Sequence, residues 1–277
     1  LDTIHVGTMS FVWLIIGVVI GIAVPVLIAI IWKIKKKEPV STILIGAATF
    51  FVFVLILEKP IQNVLAFPTA MGLPDNPVSV FLNANTLLLA LVASLFPGVF
   101  EETGRFVAFK ILLKKRRNRE TAISYGIGYG GLEAILILGL TYIQYIAFAV
   151  MINAGTFQTV IDKVASQAPE QVSAVEDVAR LIVRFSFADL GVNLVERVSA
   201  VLFHVGASIL VFYACKSKKH LWLYPFAIIL HTCLDFIVAL LVFNVISISS
   251  WTLEVIVAVF GLLIFFGAYL SLYKKDV

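Results

Sequence analysis

The segment Phe100-Glu101-Glu102-Thr103-Gly104-Arg105 sets two carboxylates side by side with a guanidinium one helical turn along. Spacings of four (Glu101 to Arg105) and three (Glu102 to Arg105) allow either pair to share a helix face. An arginine does not deprotonate and pairs with one carboxylate, so the two acids can divide into a base and a structural partner. Taken alone, such a trio would be an ion pair that fixes helix packing.

Three other segments carry groups able to move protons. Tyr125-Gly126-Ile127-Gly128-Tyr129-Gly130-Gly131-Leu132 runs into Glu133. Glycines at 126 and 130 repeat the four-residue spacing that lets membrane helices approach closely, and the expectation is that they bring this segment against the Glu101 segment and deliver Glu133 to it. No strand precedes them, so they are not a nucleotide-binding loop. His204-Val205-Gly206-Ala207-Ser208 and His231-Thr232-Cys233-Leu234-Asp235 each pair a histidine with a polar residue four positions on, on the same side of a helix. A histidine can take a proton, orient water or bind a metal.

These groups share a register. Glu102 precedes Lys114 by 12 residues, Glu133 follows Arg119 by 14, His204 precedes Lys216 by 12 and His231 follows Lys219 by 12. If each basic run marks the cytoplasmic rim of a bilayer, a rise of about 1.5 Å per residue puts all four roughly 18 to 21 Å inside it. Ionisable groups at that depth are costly and ordinarily face a polar cavity with a function.

A chain of 277 residues that is 61% hydrophobic and 14% charged cannot hide its apolar side chains in a soluble core. The class is all-α: a polytopic membrane protein with about seven transmembrane helices, at about 10–32, 41–57, 82–113, 121–151, 192–214, 221–247 and 251–273, each able to cross a hydrocarbon layer of about 30 Å. Fourteen Lys and Arg fall at one set of span ends and four at the other. That bias orients the N-terminus outside and the C-terminus in the cytoplasm. It makes the basic balance a topology signal and gives no reason to expect nucleic acid as a partner. The first span, flanked by Asp2 and His5 without positive charge, reads as a retained anchor rather than a cleaved leader. Cys215 and Cys233 read as small apolar side chains.

The whole of 1–277 reads as one transmembrane helical domain with a catalytic core at about 82–247. Four prolines at 60, 68, 74 and 77 mark 58–81 as an irregular outer connection. The third span is too long to cross straight, and Pro97-Gly98 is its natural break. Between about 152 and 191, apolar residues at helical spacing beside charges predict short amphipathic helices on the outer membrane surface, with a gate over the site as the sharper alternative. Glu196 and Arg197, near the outer end of the fifth span, read as an ion pair or snorkelling side chains, as does Glu254 in the seventh.

The order Glu101-Glu102-x-x-Arg105, a glycine-rich segment ending in Glu133, His204-x-x-x-Ser208 and His231-x-x-x-Asp235 resembles the YhfC-type membrane peptidases. It is also similar to PrsW-type proteases and, more distantly, to the CAAX-processing and bacteriocin-immunity proteases. The latter group separates its glutamate pair from arginine by three residues, against two here; the PrsW-type pattern has this spacing with lysine. The resemblance implies an intramembrane endopeptidase acting on a membrane-embedded or membrane-associated peptide or protein. Glu101, with Glu102 as the alternative, would activate a water and His204 would share its proton. His231, oriented by Asp235, would stabilise the oxyanion. Arg105 would organise the glutamates, Glu133 would position water, and Ser208 would support His204. No cofactor is required in this reading. A zinc-dependent version would use Glu101, His204 and His231 as ligands. A proton- or cation-coupled transporter is the rival of another class, although seven spans without inverted halves argue against it.

Overall fold

A computed structural model describes residues 5–276; Asp2, named above, lies outside them. Seven helices among the described residues are long and apolar enough to cross a membrane. They are α1 (Thr8–Lys36), α2 (Val40–Ala66), α3 (Thr86–Leu112), α4 (Glu120–Asn153), α5 (Phe187–Lys216), α6 (Lys218–Val242) and α7 (Ser250–Tyr273). No strand occurs among the described residues. The all-helical, seven-span architecture thus follows the runs of hydropathy, because helices satisfy every backbone hydrogen bond within the span itself.

Two expected interruptions are helical. α2 continues through Lys59-Pro60 to Ala66, so the outer connection loses its first third to helix. A π-helical stretch at Phe51–Glu58 precedes Pro60, which sits in the first turn of the α-helical segment that follows, where its missing N–H and fixed φ are tolerated. α3 likewise runs unbroken through Pro97-Gly98. Its length problem is solved at the other end, where Asn85 caps Leu88 N and a separate helix, Pro77–Asn83, starts from the capping box of Asn76 and Ser79.

The chain divides into two compact units. One comprises 1–24 and 134–194. Its core gathers Leu14, Leu138, Tyr142, Ile161, Ile182 and Leu190. The expected amphipathic helices are here, at Gln158–Gln167 and Val172–Arg184, burying Ile161 from the first and Ala179 and Ile182 from the second. The other unit comprises 25–133 and 195–277. It holds every candidate site residue.

Candidate functional site

Within the larger unit, α3 supplies Glu101, Glu102 and Arg105, α4 supplies Glu133, α5 supplies Arg197 and His204, and α6 supplies His231 and Asp235. Glycines set how closely these helices meet. A Cβ on Gly98 would lie 2.2 Å from Thr232 Oγ1, so the bare backbone of α3 lets α6 come in beside His231. A Cβ on Gly126 would lie 2.7 Å from Val205 Cα, and one on Gly130 would lie 3.2 Å from His204 Cβ. The glycine ridge of α4 therefore faces α5, and at Gly128 it faces Ile43 of α2, rather than the glutamate pair on α3. Small residues announce a close approach without naming the partner.

Glu133 accordingly meets α5. Arg197 Nη1 donates to Glu133 Oε1 at 2.7 Å, and the other oxygen of Glu133 faces His204 Nε2. His204 Nδ1 accepts from Arg105, which also pairs with Glu102. Glu102 Oε1 then meets His231 Nδ1 at 2.7 Å. The result is one polar chain across four helices: Arg197, Glu133, His204, Arg105, Glu102, His231. Arg105 and Glu102 have no solvent exposure at all. Buried charges persist only when paired and hydrogen-bonded, as these are. Aromatic rings hold the imidazoles: Tyr129 lies 5.1 Å from the His204 ring and Phe203 lies 4.8 Å from that of His231, while the Arg105 guanidinium sits 4.3 Å over Tyr129.

Glu101 is bound differently. Its Oε2 is buried and carries no hydrogen bond among the described residues. Three nitrogens surround it at bridging range: Arg105 Nη2 at 3.8 Å, His231 Nε2 at 3.8 Å and His204 Nδ1 at 3.9 Å. These distances are too long for direct hydrogen bonds and suit groups that share a water.

The donors fix the histidine tautomers. A guanidinium only donates, so His204 Nδ1 accepts and its Nε2 carries the proton that points at Glu133. A carboxylate paired with Arg105 only accepts, so His231 Nδ1 donates to Glu102 and its Nε2 faces Glu101. This bears on a metal. Both nitrogens of His204 are already committed, to Arg105 and to Glu133, so the expected set of Glu101, His204 and His231 cannot form without breaking one of those contacts. Among the described residues no three His, Cys, Asp or Glu side chains close on one point as metal ligands. As arranged, the donors do not fit a three-ligand ion.

Two expected supporting residues lie beside the histidines. Ser208 spends its hydroxyl on the carbonyl of His204, 2.6 Å away on the same helix. Asp235 Oδ2 lies 3.6 Å from His231 Nε2, at ion-pair distance, while Glu102 meets the other ring nitrogen at hydrogen-bond distance. Two further charged residues are buried unforeseen, the first of them joined to the cluster. Arg197 had a sequence signal: it precedes His204 by seven residues, two turns along the same face of α5. Glu58 is fully buried at the end of the π-helical stretch, 3.0 Å from Lys59. Its signal was hidden because it was assigned to a loop.

Comparison with known proteins supports the YhfC resemblance. The chain is 29% identical over 226 residues to the uncharacterized membrane protein YhfC of Bacillus subtilis (strain 168), covering 82% of this chain and 83% of that one. No solved structure matches it. With seven apolar helices, the chain is a multi-pass protein of the bacterial plasma membrane. The model of a family described as YhfC intramembrane metalloprotease matches residues 20–257, nearly the whole chain, and the chain therefore belongs to the YhfC intramembrane metalloprotease family.

Proposed function

We propose that the protein is an intramembrane endopeptidase in which Glu101 activates the attacking water. The observation that carries this reading is the buried, unbonded Glu101 Oε2 with three nitrogens at 3.8 to 3.9 Å around it. A carboxylate held in that way can take a proton from water while Arg105 and His231 orient it.

The hydroxide oxygen adds to the carbonyl carbon of the scissile peptide bond, and the proton goes to Glu101. Arg105, a permanent cation beside that point, stabilises the oxyanion that forms. The proton then passes, by way of His231 Nε2, to the departing amide nitrogen as the C–N bond breaks, leaving a carboxylic acid and an amine. The contacts support giving the proton relay to His231, whose Nε2 makes no hydrogen bond among the described residues, rather than to His204. His204, tied at both nitrogens, positions Arg105, and Glu102 positions both Arg105 and His231. Arg197 acts one step further out, keeping Glu133 aligned on His204.

The family description names a metal, and a metal-dependent form would require His204 to release Arg105 or Glu133. Full-length protein reconstituted in liposomes with a panel of membrane-spanning peptides tests the reading. Peptide fragments cut within or beside the apolar stretch are expected by mass spectrometry, undiminished after chelation and without stoichiometric metal on elemental analysis. Activity lost on chelation and restored by zinc would replace the water-activating glutamate with a metal centre. Ion-dependent flux with no fragments would make the protein a transporter.

A further inference from the structure

Apart from the site, the larger unit contains a cavity of about 120 Å³ where the basic ends of α3 and α5 meet. One water needs roughly 10 to 15 Å³, so a phosphate-sized group fits together with hydrating waters. Five cations line it: Lys110, Lys114, Arg116, Arg117 and Lys216. No acidic residue is among its walls.

The charge is largely uncompensated. Lys216 is paired with Asp276. Arg116 donates to the neutral hydroxyls of Ser41, at 2.8 Å, and Thr42, contacts that fix the guanidinium without cancelling its charge. Lys110, Lys114 and Arg117 make no ion pair among the described residues. Cations gathered around a cavity without an acid repel one another, and a bound anion relieves that repulsion. The other wall is apolar, formed by Phe109, Leu113 and Phe212, with Ile111 and Leu112 exposed next to it on the surface of α3. An anion that also brings hydrocarbon satisfies both walls.

We propose that this pocket binds the phosphate of an anionic phospholipid, with an acyl chain laid along the apolar surface beside it. Basic pockets between membrane helices are suited to such headgroups, each Lys or Arg adding to the attraction. The shared chemistry is phosphate, and the apolar wall favours the lipid over the free ion.

Native mass spectrometry of the full-length protein, released from bilayers of mixed phosphatidylcholine and phosphatidylglycerol, tests the proposal. The wild type is expected to retain one phosphatidylglycerol in preference to phosphatidylcholine. The triple variant K110Q/K114Q/R117Q is expected to lose that retention about tenfold or more. Neutralising as many charges at another basic run, in K33Q/K35Q/K36Q, is expected to leave it unchanged, which separates a pocket from general surface attraction. Millimolar inorganic phosphate should not displace the lipid. Equal retention of both lipids, equal losses in the two triple variants, or full displacement by phosphate would each overturn the proposal. If the first variant does not fold, K110Q/K114Q carries the same expectation.

Discussion

Within the polar chain, two adjacent glutamates have opposite surroundings, and they should answer mutation differently. Glu102 is spent on Arg105 and His231, so Glu102→Gln leaves a buried guanidinium without its carboxylate. Breaking a buried pair in this way costs roughly 3–5 kcal/mol, and a thermal or denaturant melt in detergent should show a loss of that order. In the proposed mechanism Arg197 is a positioning residue, and its effect should be kinetic. Arg197→Gln frees Glu133 and, through it, the His204 ring; kcat should fall by up to roughly a hundredfold with KM little changed, and Arg197→Lys should recover part of it. A purely structural arginine would lower the folded fraction and leave kcat per folded molecule unaltered. The two glutamates were legible as a divided pair from the Arg105 spacing alone. Which of them is bonded was not, because that depends on His231, 129 residues away.

Matching distances from basic runs placed Glu102, Glu133, His204 and His231 at one depth, and the structure joins all four through hydrogen bonds or ion pairs. That ruler worked because a helix has a constant rise and the runs share one side. The partners of the glycine ridge were beyond it, since spacing along one helix carries no information about the facing one. Its new partners make a paired prediction. A Cβ on Gly128 would lie 1.9 Å from the carbonyl oxygen of Ile43, a backbone atom that cannot swing aside, whereas one on Gly131 would meet only Pro25 Cβ at 3.5 Å. Gly128→Ala should therefore destabilise by about 1–3 kcal/mol, while Gly131→Ala should be neutral or slightly stabilising in the same melt. Pro60 and Pro97 misled the reading of α2 and α3 for a related reason: a proline breaks a helix in water more readily than in a membrane, where neighbouring helices can satisfy the freed carbonyls.

For the molecule as a whole, the charge bias of 14 to 4 predicts an orientation that can be measured. In a background of Cys215→Ala and Cys233→Ala, a membrane-impermeant maleimide should label Thr156→Cys in intact cells and Lys218→Cys only after permeabilisation; the reverse pattern would invert the topology. The site's groups come from α3, α4, α5 and α6, so no isolated segment could hold it. The family, the span count and the register of the polar groups were open to the sequence because hydropathy and motif order are local properties. Arg197 and Glu58 were not read as site residues because their burial depends on neighbours that the chain brings in from elsewhere. The claim on which the catalytic account rests is that Glu101 is free to act on water because its Oε2 carries no hydrogen bond among the described residues. The most direct test is the cleavage rate of Glu101→Gln in liposomes beside its melting curve. The account predicts a rate at least about a hundredfold below wild type with the melt nearly unchanged. A variant that still cuts at the wild-type rate, or one that loses activity only because it unfolds, would contradict it.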